Sequence, residues 1–155
     1  MARLITWTEY TDIVKSLAHE LIRMPWFNNI KRIYGIPRGG IIPAVMLSHL
    51  LDKPFCSIFT RYATQKKDLS CSLLVDDIID TGGTLIKYPL RNHKVRYIAS
   101  VIGKKLGVTK VLNHYSDIDL SVTVGQMLDN YNSWLIFPYE SVDKELEHER
   151  LMLGK

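Results

Sequence analysis

The sequence is short of several things, and each shortage excludes a class of protein. It has two cysteines, Cys56 and Cys71, too few for a disulfide framework and without metal-ligand spacing, so both are expected to be reduced, partly buried thiols. No apolar run approaches the roughly 20 residues that cross a bilayer. Residues 1–9 lack the apolar core and small-residue cleavage site of a secretory signal, so the expectation is a cytoplasmic protein with no membrane partner. No Gly-x-Gly-x-x-Gly follows a strand-like segment, which disfavours a nicotinamide cofactor. Internal repeats, low-complexity tracts and linkers are missing too. Neither sign of charge dominates: a net charge of +4 suits a small polyanion as well as it suits nucleic acid.

What is present reads as one globular domain over residues 1–155, with 46% hydrophobic and 23% charged residues. Thr6 and Glu9 have the spacing of a capping box, and Tyr10, Ile13, Val14, Leu17, Leu21 and Ile22 then follow a helical period up to Pro25. Ile33-Tyr34-Gly35-Ile36 is a short strand running into the turn Pro37-Arg38-Gly39-Gly40, and a helix follows over 41–51. Residues 55–62 are strand-like, 65–68 form an exposed turn, and Leu73-Leu74-Val75 is a second buried strand. A short helix ended by Pro89 follows Thr81-Gly82-Gly83-Thr84. Further strands are expected over 95–102 and 133–137, and an edge strand over 120–124 within the poorly patterned stretch 107–132. Strands alternating with helices predict an α/β fold with a mostly parallel sheet flanked by helices, and ligands at the carboxyl ends of the strands.

The strongest signal is Leu73-Leu74-Val75-Asp76-Asp77-Ile78-Ile79-Asp80-Thr81-Gly82-Gly83-Thr84. An apolar strand ends in two adjacent carboxylates, which need hydroxyls, cations or water as partners when they are buried. The glycines behind them let backbone N–H groups converge on an anion, and Thr81 and Thr84 add hydroxyl donors. Asp-Asp alone is commonly a solvated strand end and Thr-Gly-Gly-Thr alone a turn; it is their conjunction behind one strand that points to a site, with a polyol as natural partner of the acids and a phosphate in the loop. In the earlier turn, Arg38 stands between a proline and two glycines, where a guanidinium offers charge-assisted donors to an anion.

Residues 73–84 closely resemble the signature of the type I phosphoribosyltransferases, which bind 5-phosphoribosyl pyrophosphate (PRPP). The resemblance implies a Rossmann-like fold with a small hood region. It also implies that Asp76 and Asp77 hold the ribose hydroxyls and, through them or water, Mg2+, and that Asp80, Thr81, Gly82, Gly83 and Thr84 cradle the 5′-phosphate. The run Ile78-Ile79-Asp80-Thr81-Gly82 is similar to the 6-oxopurine members, which implies that Asp80 is the catalytic residue handling the proton on purine N7; as a bare residue it also fits a loop or N-cap carboxylate. Arg38 and Gly39 resemble the family's pyrophosphate loop, with a cis peptide implied between Pro37 and Arg38.

Trp134-Leu135-Ile136-Phe137-Pro138-Tyr139-Glu140 looks like the Trp-x-x-x-Pro-Trp-Asp/Glu segment of the xanthine-guanine and hypoxanthine-guanine members. By that resemblance Trp134 stacks on the base, the main chain of Leu135 pairs with its edge, and Glu140 lies near its C2 substituent or the pyrophosphate metal. Lys104, with Lys105 as the alternative register, contacts O6. Without the resemblance, a strand-end lysine reads as solvated and the tryptophan as core. Two departures stand out. Only residues 61–70 are available for the mobile lid, and the interval from Lys104 to Trp134 is longer than in the small bacterial xanthine-guanine enzymes.

The implied function is transfer of the phosphoribosyl group of PRPP to guanine, xanthine or hypoxanthine with release of pyrophosphate, by a homo-oligomer of two or four copies. The alternatives are a PRPP- or nucleotide-binding regulator of the same fold and a transferase for adenine or a pyrimidine. Nucleic acid is not expected as a partner, because no helix-turn-helix appendage is present and Asp80 is retained.

Overall fold

The computed structural model describes residues 2–56, 68–88, 90–129 and 133–140. They belong to two compact units, one of residues 12–131 and one of residues 1–11 with 132–155.

The larger unit is a five-stranded sheet in the order β3-β2-β4-β5-β6, with every neighbouring pair parallel. The strands are β2 (Arg32–Gly35), β3 (Phe55–Cys56), β4 (Ser72–Ile79), β5 (Tyr97–Lys104) and β6 (Ser121–Leu128). Parallel neighbours need crossovers, and helices supply them. Helix α2 (Ile41–Leu50) packs on β2 and β4. Helices α3 (Gly83–Lys87) and α4 (Lys105–His114) share a core with the sheet in which Leu74, Ile98, Leu85, Val108, Val111 and Tyr115 are all buried. Leu74 stands opposite Ile98, and the alternation of side chains along a strand puts both on one face.

The order of the strands determines where a ligand can bind. From β2 the chain steps outward to β3, then crosses back over β2 to β4 and continues to β5 and β6. The reversal between β2 and β4 is a topological switch point, where the turns leaving the two carboxyl ends part and leave a crevice. The turn after β2 is Pro37-Arg38-Gly39-Gly40, and the loop after β4 begins at Asp80.

The smaller unit contains β1 (Arg3–Leu4) paired in parallel with β7 (Leu135–Ile136), and Tyr10, Phe137 and Tyr139 pack ring against ring at 5.5 to 5.8 Å. Helix α1 (Trp7–Arg23) starts in this unit and continues into the larger one. The expected capping box is half made. Thr6 Oγ1 accepts the Glu9 N–H at 3.2 Å, a cap worth about 1 kcal/mol, while the Glu9 carboxylate pairs with Arg3. Tyr10, Val14, Leu17, Ala18 and Leu21 form the buried face, and Ile22 turns outward at 50% exposure.

Several boundaries differ from the sequence reading. β4 runs through Asp76 and Asp77 to Ile79, because Asp76 pairs with Ser100 and Ile78 with Ile102. β5 starts at Tyr97, since the Val95 N–H bonds to Leu90 and Lys94 has a positive φ of 54°, which takes this stretch out of the ladder. β6 is the expected edge strand but extends to Leu128. Within the strand-like stretch 55–62 only Phe55 and Cys56 are described, and the turn residues 65–67, Pro89 and most of the lid lie outside the described residues. Among the described residues no helix is long and apolar enough to cross a membrane.

Candidate active site

At the switch point the acidic pair sits in an environment that resists its charge. Asp76 is buried, and burial first, then the neighbouring Asp77 carboxylate, push its pKa well above the ordinary carboxylate value. A backbone N–H reaches each acid: that of Asp77 bonds to Asp76 Oδ1 at 3.0 Å, and that of Ile78 to Asp77 Oδ1 at 2.8 Å. Two carboxyl groups held this way gain from vicinal hydroxyls or from a cation brought by a ligand. The Asp77 carboxylate also lies directly over Gly39, where a Cβ would collide with it. The glycine of the first turn thus lets the arginine turn close onto the acidic pair. Arg38 is exposed, and the Pro37–Arg38 peptide is cis, as the resemblance implies.

The loop 80–84 follows. Gly82 has φ +77°, the left-handed region that side chains rarely adopt, and the Gly83 N–H bonds to Thr81 Oγ1 at 3.3 Å. Thr81 and Thr84 are exposed. Ile79 pairs with Gly103 across the sheet, so the next residues on the two strands, Asp80 and Lys104, meet: Lys104 Nζ lies 2.7 Å from Asp80 Oδ1. The lysine is only 15% exposed. Lys105 points elsewhere, 3.4 Å from exposed Asp129.

In the smaller unit, Trp134 is 68% exposed, a position open to stacking and unlike a core tryptophan. Leu135 is buried in the ladder beside β1, and its neighbours Trp134 and Ile136 lend their carbonyls to Arg3 and Ile5. Glu140 closes its own turn: its Oε2 accepts the Phe137 N–H and its N–H donates to the Phe137 carbonyl, each at 2.9 Å.

The larger unit therefore brings together Arg38, Gly39, Asp76, Asp77, the loop 80–84 and Lys104, while Trp134, Leu135 and Glu140 belong to the other unit. Sequence reading missed Gly107, in the first turn of α4, which packs beneath Asp80. Its signal was a glycine three residues after a strand-end lysine, inside a stretch without clear periodicity. Among the described residues no group of three or more His, Cys, Asp or Glu side chains is placed to hold a metal ion. Two adjacent carboxylates without a third ligand fit a cation that keeps its waters and takes its remaining oxygens from a substrate, which is the habit of Mg2+.

Comparison with known proteins agrees with this fold. The xanthine-guanine phosphoribosyltransferase of Nitratidesulfovibrio vulgaris (strain DP4) is 24% identical over 153 residues, covering 88% of this chain and 83% of that protein. Among solved structures, a purine phosphoribosyltransferase from Pyrococcus horikoshii superposes with a TM-score of 0.58 at 24% identity, covering 92% of this chain and 96% of the other. The xanthine-guanine-hypoxanthine phosphoribosyltransferase of Helicobacter pylori gives 0.60 at 17% identity over 96% and 98% of the two chains. An orotate phosphoribosyltransferase from Aeropyrum pernix gives 0.55 at 16% identity over 97% and 78%. No family model matches the chain. The fold is that of the type I phosphoribosyltransferases, and the chain has curated homologues among the xanthine-guanine enzymes.

Proposed function

We propose that the protein transfers the 5-phosphoribosyl group of PRPP to a 6-oxopurine base. The observation that carries this reading is the convergence at one switch point of the arginine turn, the acidic pair with its buried Asp76, and the glycine loop, with Lys104 paired to Asp80 at 2.7 Å. In this reading Asp76 and Asp77 accept hydrogen bonds from the ribose 2′- and 3′-hydroxyls, and the loop 80–84 receives the 5′-phosphate. Arg38 faces the pyrophosphate. Asp76 and Asp77 would hold Mg2+ through substrate hydroxyls or water, and the ion would supply neutralisation of charge on the leaving group.

The C1–O bond to pyrophosphate breaks and its electron pair leaves with pyrophosphate. Purine N9 forms the new bond to C1, and the proton on N7 passes to the Asp80 carboxylate. Arg38 stabilises the charge that develops on the departing group. The lysine favours oxo bases. An ammonium carries only donors, so Lys104 satisfies O6 of guanine, hypoxanthine or xanthine but meets another donor in the amino group of adenine. Trp134 supplies a stacking face that every purine fits.

The test is incubation with PRPP and Mg2+ and, in turn, guanine, xanthine, hypoxanthine, adenine and orotate, with product spectra recorded. Nucleotide from the three oxopurines is the expected result. Product from orotate or adenine alone would replace the proposed substrate class, and binding of PRPP without turnover of any base would favour a regulator.

A further inference from the structure

We infer that Gly107 is a positioning residue for Asp80, and that the first turn of α4 acts as a clamp setting where that carboxylate stands; this rests on the role proposed above for Asp80. β5 ends at Lys104 and α4 begins at Lys105, so strand passes into helix with no intervening loop. Lys104 itself is extended, with φ −83° and ψ 129°. The helix therefore enters the space under the loop 80–84 within its first turn. There a Cβ on Gly107 would overlap the carbonyl oxygen of Asp80, 2.7 Å from its carbonyl carbon and 3.1 Å from the carbonyl oxygen of Ile79. From the other side, a Cβ on Gly82 would stand 2.8 Å from the Gly107 carbonyl oxygen. At Gly107 main chain lies on main chain, with no side chain between to absorb a change; at Gly82 the Val111 side chain closes in as well, with Cγ2 at 2.9 Å.

The same turn also grips the reactive end of Asp80, through the Lys104 ammonium on its carboxylate. Both ends of Asp80, carbonyl and carboxylate, are thus located by Lys104 and Gly107. Lys104 is the last residue of β5, and α4, which carries Gly107, is fixed at its far end. The Tyr115 hydroxyl, at the C-terminal end of α4, lies 3.0, 3.3 and 2.9 Å from the carbonyls of Leu85, Ile86 and Tyr88, where α3 ends. Asp76 and Asp77 stand outside the clamp, because β4 holds them by its own register with β5. Displacing the clamp should therefore spoil the proton-accepting step more than the grip on ribose.

Gly107→Ala tests this with three readings on the full-length protein: the PRPP dissociation constant, the kcat for transfer at saturating base, and the rate of base-independent PRPP hydrolysis, which does not use Asp80. A misplacement of the order of 1 Å costs on the order of 100-fold. Transfer is expected to fall by about that factor, while PRPP affinity and hydrolysis per bound PRPP fall by no more than about tenfold, since the phosphate loop 80–84 shifts with Asp80 but Asp76 and Asp77 keep their hold on ribose. Equal loss of all three readings would mean a merely structural glycine, and a folded variant with unchanged kcat would overturn the inference. If Gly107→Ala does not fold, Lys104→Met decides, since it keeps the stem and removes the ion pair. Loss of the O6 contact should raise KM for the base, and loss of the clamp should lower kcat at saturating base. An unchanged kcat there overturns the inference. A parent protein without any transfer activity would instead refute the proposed function.

Discussion

Lys104 and Asp80 form an ion pair at 2.7 Å because Gly103 and Ile79, the residues before them, are partners across β5 and β4. Sheet register brings the two residues side by side. It also separates the roles of adjacent lysines, since Lys105 faces Asp129 on the surface. Lys104→Ala should therefore erode the preference for 6-oxopurines over adenine, and Lys105→Ala should leave it intact. A site built around such a bond can discriminate by as much as about 10⁴-fold, and competition assays with guanine and adenine read the loss. Erosion in Lys105→Ala alone would move the assignment by one residue.

Asp80 is expected to act in chemistry and the acidic pair in binding. Asp80→Asn should lower kcat by about 10²-fold or more with PRPP affinity nearly kept, as general acid–base catalysis typically contributes 10² to 10⁴. Asp76→Asn combined with Asp77→Asn should lose PRPP affinity. Steady-state kinetics beside direct PRPP titration separate the two cases. Loss of both parameters in every variant would contradict the division.

The raised pKa of Asp76 has a consequence for stability. Burial and Asp77 make its folded-state pKa higher than its unfolded one, so the folded protein holds a proton that the unfolded chain releases. The stabilisation from this group is complete below the unfolded value of about 4 and is lost as pH rises through the raised folded value. Asp76→Asn removes the charge that must otherwise be buried. It should be more stable than the parent at pH 7 to 8, by about 1 to 3 kcal/mol, with the difference shrinking toward pH 4. Denaturant titrations across that range measure it, and a difference independent of pH would contradict the account.

Tyr115 offers a check on the scaffold that leaves the chemistry aside. Its hydroxyl serves the carbonyls at the end of α3, and Arg91 stacks on its ring 4.6 Å from the centroid. Tyr115→Phe keeps the ring contact and removes the hydroxyl. The carbonyls of Leu85 and Tyr88 keep the N–H groups of Tyr88 and Leu90, so only the hydroxyl's own bond is lost, at about 0.5 to 1.5 kcal/mol, visible as a lowered Tm; an unchanged Tm would show that water replaces the hydroxyl at no cost.

The sheet's central strands and the two ligand turns were legible in the sequence because their signals are local. Leu73 to Val75 is an unbroken apolar run, and glycines follow it where the chain must turn. Asp76 and Asp77 read as the strand's end since charge ordinarily marks one; the ladder to Ser100 and Ile102 overrides that. α4 was unreadable for an opposite reason. Its first turn holds Gly107, a poor helix former, at the place where only close approach to Asp80 explains it. β6 likewise seemed to stop at Val124 because Gly125 and Gln126 follow, yet its pairing with β5 continues to Leu128. The Lys104–Asp80 pair is a product of register, which neither segment's sequence contains by itself.

Phosphorus NMR of the protein with PRPP, Mg2+ and guanine follows transfer of the phosphoribosyl group itself. The diphosphate resonances of PRPP should disappear while pyrophosphate and a nucleoside 5′-phosphate grow, in equal amounts when guanine is in excess. With only residues 61–70 for a lid, some ribose 5-phosphate is expected beside them when the base is scarce. PRPP that binds but stays intact, or that yields ribose 5-phosphate and no nucleotide at any concentration of base, would contradict the account.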